Sequence, residues 1–168
     1  MPTFTQIGTA VIVGSGGQAN ITFSSIPSTY TDLVISLSSR AATGGPVDVM
    51  IEFNATGSTY DQKQIQGNGA SAASSGGAGN QSATSSGSGD TASTFANSQI
   101  YISSYSGSTI KSFATESVTE NSAITAYQTL RAGTWSGTAA INSIKLTHNG
   151  GASFAQHTTA YLYGVSNA

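Results

Sequence analysis

Hydrophobic and polar residues alternate along most of this chain with period two and nowhere sustain the 3.6-residue period of a helix. The clearest run is VDVMIEFN, where Val47, Val49, Ile51 and Phe53 share one face and Asp48, Met50, Glu52 and Asn54 the other. Successive strand side chains point to opposite faces, so this pattern predicts a half-buried antiparallel strand. TDLVISLSSRA, SQIYISSY, INSIKLTH and TAYLYGV repeat it, the last with Ala160 and Leu162 opposed to Tyr161, Tyr163 and Val165. IGTAVIV, ANITF, YDQKQIQ, TIKSFATESV and YQTLRAGTW are weaker strand candidates. GSGGQ, SIPST, TGGP, NATGS, YSGS, WSGT and HNGG supply turns between them. One helical turn is the exception, over TENSAITAYQ (119–128), with Thr119 or Asn121 as its cap, although Thr, Ile and Tyr are poor helix formers. About ten short strands punctuated in this way predict an all-β, jelly-roll-like antiparallel sandwich. The 168 residues most economically form one domain.

One stretch breaks the alternation. From Gln66 to Thr94 the chain has no Leu, Ile, Val, aromatic, Lys or Arg, and one charge, Asp90. Either half of the chain alone is near the lower size limit for burying enough surface, so a linker between two domains is disfavoured. The expectation is a single Gly/Ser-rich loop, residues 67–93, inserted between strands at small entropic cost. Its composition cannot hold a shape by itself. As a flexible coil it would span roughly 26–31 Å and reach a neighbouring subunit. Asn80, Ser86 and Asp90 in this loop are therefore expected at an oligomer or partner interface. Arg131 and Trp135, which share a strand face in LRAGTW, are expected there too, since Arg and Trp are enriched at interface hot spots. Deleting 70–92 would then leave the sandwich folded and weaken assembly.

Charge changes the picture more than length does. Five Lys or Arg and seven Asp or Glu make up only 7% of the chain, against about 25% in ordinary soluble domains. Ser and Thr, at 50 positions, take over the polar role. Net charge is −2 and the basic residues are scattered, so no stripe is visible that would neutralise phosphates, and no nucleic-acid partner is expected. No apolar run approaches the 18 residues that read as a membrane span, and MPTFTQIGTAVIV lacks the basic region of a signal peptide. A low-charge Ser/Thr/Tyr surface is easily desolvated, which suits a protein whose surface meets other subunits. There is no Cys, hence no disulfide, thiolate metal site or thiol nucleophile.

Candidate chemistry is thin. His148 and His157 are the only histidines, and no carboxylate close in sequence completes a metal site with them. Asp48 and Glu52 share a strand face near Asp61, and paired carboxylates hydrolyse glycosides. A sugar groove wants aromatic lining, however, and Trp135 is the only Trp, so a solvated face or pairing with Lys63 is preferred. GSGGQ and GNG are Gly-rich but precede a strand and a low-complexity stretch, not the helix N-terminus that a phosphate loop needs. No catalytic, cofactor-binding or metal residues are assigned.

Three segments carry a resemblance: FSSIPSTYTDLVISLSSRA (23–41), IEFNATGSTYDQKQIQGNGASAASS (51–75) and SVTENSAITAYQTLRAGTWSGTAAINSIKLTHNGGASFAQHTTAYLYGV (117–165). In that order they resemble small virion structural proteins of tailed bacteriophages, particularly marine and cyanobacterial ones. The resemblance implies a non-enzymatic particle component located in the virion. A capsid decoration or cement protein is the leading expectation, and a tail-fibre or tail-tip domain meeting the host surface is the alternative. The implied partners are the major capsid protein or tail proteins and further copies of the chain, with a homotrimer expected by analogy with how such sandwiches assemble.

Overall fold

The structure, a computed structural model, describes residues 1–121 and 125–166. Within them the chain begins with β1 (Thr3–Gln6), β2 (Val11–Ile12), β3 (Asn20–Phe23), β4 (Asp32–Ser39), β5 (Val47–Phe53) and β6 (Tyr60–Gly67). It continues with β7 (Ala72–Ala78), β8 (Gln81–Ser85), β9 (Ala96–Ile102), β10 (Lys111–Asn121), β11 (Thr125–Trp135), β12 (Ile144–His148) and β13 (Thr159–Ser166). A single short 3-10 turn, Asn149–Gly151, follows β12.

These strands form a sandwich of two antiparallel sheets. The larger has the order β1-β13-β4-β9-β10-β11-β6-β7, with β2 also on β13, and the smaller has the order β3-β12-β5-β8. The pairs β3:β12, β4:β9, β5:β8 and β6:β7 are nested one inside the next. The winding is that of one long hairpin, with its tip between β6 and β7, rolled so that successive pairs fall alternately in the two sheets. This is jelly-roll topology. The β9–β10–β11 meander broadens the large sheet where the hairpin's outgoing and returning arms meet.

The alternation seen in the sequence decides which side chains lie between the sheets. Ile21, Phe23, Val49, Ile51, Phe53, Ile144 and Leu146 of the small sheet face Leu33, Ile35, Leu37, Ile100, Ile102, Phe113, Trp135 and Leu162 of the large one. All are buried. Each contributes about 1.5–3 kcal/mol relative to exposure. Phe53 packs edge-on against both Trp135 and Phe113, with ring centroids 5.5 and 6.1 Å apart. Gly133 lies directly beneath the Phe113 ring, where a Cβ would overlap it.

The 67–93 segment is not a loop. It contains the whole of β7 and β8. β8 (QSATS) is an edge strand of the small sheet, pairs with β5, and is buried almost throughout. Its side chains are small because the sheets approach closely here, and hydroxyls join them. The Ser98 hydroxyl lies 3.0 Å from Ser117 Oγ, and the Thr84 amide donates to that same Ser117 oxygen at 3.3 Å. Ser86 Oγ and Thr119 Oγ1 are 3.0 Å apart, and Ser82 Oγ donates to Val49 O at 3.0 Å. Composition alone reads such a stretch as unable to fold, since it has no apolar face of its own. What holds it is the backbone ladder to β5 and a hydroxyl-lined partner surface supplied by β9 and β10.

The expected strands were found, with β1, β7 and β8 in addition. IGTAVIV is strand only at Val11–Ile12. The helical turn over 119–128 is overturned. Thr119 to Asn121 and Thr125 to Gln128 are the paired ends of β10 and β11, and 122–124 lie outside the described residues.

The nested pairing reverses the expectation for a deletion. Replacing residues 70–92 by a short Gly-Ser link removes β7 and β8 and leaves β5 as an unpaired edge over an opened core. Such a variant should show no cooperative urea transition and no near-ultraviolet dichroism. A cooperative transition in that variant would contradict this reading of the fold.

Candidate functional site

The five residues expected at an interface are turned inward or tied down within their own chain. Trp135 is buried against Phe53. Arg131, on the same inner face, reaches under β8, where its guanidinium pairs with Asp48 and lies 3.4 Å from Ala83 O. Asn80, between β7 and β8, donates from Nδ2 to Ile51 O at 2.8 Å and accepts the Ile51 amide on its own carbonyl at 2.8 Å. Ser86 is buried on Thr119. Asp90 is buried and accepts the Gly87 amide at 2.6 Å. Shared strand parity placed Arg131 and Trp135 correctly on one face, but that face is the core.

The turn after β8 is built around two charges. Arg40, at the end of β4, donates to the carbonyls of Thr91 at 2.9 Å, Thr94 at 2.8 Å and Asp90 at 3.3 Å. Glu120 accepts the Thr91 amide at 2.9 Å and the Thr91 and Thr94 hydroxyls at 2.9 and 2.6 Å. Charge-assisted bonds of this kind are about twice as strong as neutral ones. They fix a segment that has no apolar anchor until Phe95.

Each of the three hairpin carboxylates has a cation. Asp48 pairs with Arg131, Glu52 with Lys145 at 3.3 Å, and Asp61 with Lys63 at 2.6 Å. Asp48 and Glu52 share a strand face, as expected, but each is tied to a different partner strand. Among the described residues no group of three or more His, Cys, Asp or Glu lies close enough to hold a metal ion. His148 is buried with its ring on Phe154, at a centroid distance of 4.0 Å. Its Nδ1–H donates to Ala152 O at 3.2 Å, since a carbonyl can only accept. Nε2 is buried and meets no partner among the described residues. Desolvation therefore pushes the imidazole below its usual value of 6.5. Lys111 is one of the scattered basic residues of the sequence. It is buried with Nζ 5.7 Å over the Trp135 ring, donates to the carbonyls of Thr109 and Thr138, and is pushed down by desolvation.

The accessible feature is the outer face of the large sheet. Tyr101 on β9, Val118 on β10, Leu130 on β11 and Ile65 on β6 stand out from it, 41–59% exposed. Leu130 and Ile65 are direct cross-strand partners. Three adjoining depressions cross this face. One of about 430 Å³ lies among Asp61, Lys63, Tyr101, Ala114 and Ala132. A second, of about 630 Å³, is lined by Ile65, Asn68, Val118, Ala126 and Leu130, and a third, of about 450 Å³, by Ile65, Ser74, Leu130 and Ala132. The Tyr101 hydroxyl donates to Asp32 Oδ2 at 2.5 Å, a bond that orients the ring and raises its pKa. The signal for this face was present in the sequence, in the odd-numbered apolar positions of β6 and the even-numbered ones of β10 and β11. It was masked because single apolar residues on a wet face are ordinary.

No protein-family model matches the chain, and comparison with curated proteins and with solved structures finds no match.

The charge pairs differ in burial, which sets up a direct comparison. The Arg131 side chain is 3% exposed and Asp48 33%, whereas Lys63 and Asp61 are both more than half exposed. Asp48→Asn should cost about 2 kcal/mol in urea unfolding, because it strands a buried guanidinium. Asp61→Asn should leave the midpoint unchanged. Equal effects would contradict the assignment of Asp48 as the structural partner of Arg131.

The buried imidazole predicts a pH dependence. Its folded pKa is depressed, so below about pH 6.5 the unfolded state binds the proton first. Stability should therefore fall as pH drops from 6.5 toward the folded value. His148→Gln should lose this part of the slope when unfolding is measured at pH 7 and pH 5. An unchanged slope would contradict the burial argument.

Proposed function

We propose that this protein is a non-enzymatic structural protein of the virion of a tailed phage, most simply a capsid decoration or cement protein that strengthens the shell through contacts between subunits. The observation that carries this reading is the outer face of the large sheet. It is broad, low in charge and dotted with exposed Tyr101, Val118, Leu130 and Ile65, a composition suited to lasting contact with other protein surfaces. The resemblance of residues 23–41, 51–75 and 117–165 to phage virion proteins supports the setting. The ion pairs that engage Asp48, Glu52 and Asp61 support a non-catalytic role, because each carboxylate already serves a cation of the fold.

The depression beside Tyr101 favours a second reading, a tail-fibre or tail-tip domain that binds the host surface. An oriented aromatic ring flanked by Lys63, Asp61, Ser103 and Ser112 is a surface on which a sugar can stack and accept hydrogen bonds. Partners under the first reading are the major capsid protein and further copies of the chain, in a trimer by analogy with related sandwich assemblies.

Copy number separates the two readings. Quantitative mass spectrometry of purified particles against the major capsid protein should give on the order of hundreds of copies for a decoration protein, since icosahedral symmetry multiplies each site. A few to a few tens of copies would overturn the decoration reading in favour of the tail, and absence from particles would overturn both.

A further inference from the structure

The large sheet has two free edges. One is β7. The other is formed by β1 and β2 laid end to end along β13, opposite Thr159–Ala160 and Tyr163–Ser166. Exposed sheet edges present unpaired amides and carbonyls, and proteins commonly blunt them with charges or proline. Neither edge strand carries charge or proline, although the β1–β2 edge is short and interrupted between Gln6 and Val11. TFTQ, VI and AASSGGA contain no Lys, Arg, Asp, Glu or Pro.

The two edges differ in a complementary way. Phe4 pairs with Val165 and Ile12 with Thr159, the parity opposite to that of core-facing Leu162, so both lie on the outer face. They are 56% and 66% exposed. Their partners lie six positions apart on β13, a span of about 20 Å. On β7 the outer-face positions are Ala72, Ser74, Gly76 and Ala78, opposite Gly67, Ile65, Lys63 and Asp61. These small residues also span about 20 Å and leave exposed Ile65 and Leu130 just behind them. One edge thus carries large apolar side chains that stay more than half exposed, and the other carries small ones beside exposed large neighbours.

Strand polarity agrees. Seven successive antiparallel pairings lead from β1 to β7, so these two strands run in opposite directions. Two copies set side by side in the same orientation bring them together antiparallel, with the outer faces continuous. We propose that copies of this chain associate head to tail through these edges, β1 and β2 of one copy pairing with β7 of the next, with Phe4 packing over Ala78 and Ile12 over Ala72 beside Ile65. Pairing over this length makes about seven backbone hydrogen bonds. A twofold β7–β7 contact would join only small residues and leave Phe4 uncovered. A head-to-tail contact has no twofold, so it closes into a ring when its rotation permits. The inference rests on the sheet edges and does not depend on the virion reading.

Complementation tests it. Phe4→Asp damages one edge and Ser74→Glu the other, and both residues are exposed, so each variant should keep the parent's circular dichroism and melting temperature. Ile12→Asp serves in place of Phe4→Asp if that variant fails to fold. By native mass spectrometry at about 100 μM the parent chain should form assemblies of three or more copies, and each variant alone should be monomeric. Mixed, the variants should form a one-to-one heterodimer, because one undamaged interface remains and the other carries two like charges. A parent that is monomeric throughout would overturn the proposal. So would a Phe4→Asp protein that assembles like the parent, or a mixture that stays monomeric.

Discussion

Where β8 slides under the meander, the two sheets of this protein meet through hydroxyl groups instead of hydrocarbon. Ser86 meets Thr119 at 3.0 Å and the Thr84 amide meets Ser117 at 3.3 Å across a layer that elsewhere is filled by Phe, Trp and Ile, and Ser98 braces Ser117 from the neighbouring strand at 3.0 Å. Everything wound inside the hairpin depends on this joint. β8 closes the pair with β5, β5 presents Val49, Ile51 and Phe53 to the core, and β7 can return only if β8 has a place to go. A larger side chain at Ala83 or Ser85 would push the sheets apart. A net hydrogen-bond contribution of about 0.5–1.5 kcal/mol each is modest, but a buried hydroxyl left without a partner costs more than it would gain paired. Such a joint therefore specifies register as much as it stabilises.

The same constraint accounts for the scarcity of charge. A chain that fills much of its polar interior with Ser and Thr needs few ions, and the ones it keeps are placed with care. Arg131 and Asp48 lock β11 to β5, Arg40 holds the carbonyls of the turn after β8, and Glu120 holds its amide and hydroxyls. The surface left over is nearly neutral, rich in Ser, Thr and Tyr, and inexpensive to desolvate. Those properties fit a protein used as a building part, and they join the fold to the proposed role in a particle.

Most of the strands were legible because their alternation is strong. Val47 to Phe53, Leu33 to Leu37 and Ile144 to Leu146 each point the residues inward that hydropathy says should be inside. The Gly/Ser-rich segment was illegible for a physical reason. Hydropathy looks for a strand that carries its own apolar face, whereas β8 is held by a ladder to β5 and by hydroxyls that come from β9 and β10, far away in sequence. The interface expectation failed for a related reason. Arg131 and Trp135 do share a face, but parity alone does not say which face is the inner one. A capping residue at Thr119 or Asn121 suggests a helical turn over 119–128, but the cross-strand pairing of Thr119 with Tyr127 outweighs it. The outer-face residues Ile65, Val118 and Leu130 could have been seen only once β6, β10 and β11 were known to be neighbours.

Amide hydrogen exchange, read residue by residue, tests the central claim that the Gly/Ser-rich segment is a structural arm of the roll. The amides of β8 that pair with β5 should exchange only through global unfolding, as slowly as those of β5 itself, while the tip between β6 and β7 exchanges fast. Uniformly fast exchange from 67 to 93 would mean that the segment is a loop after all, and the nested architecture would be wrong.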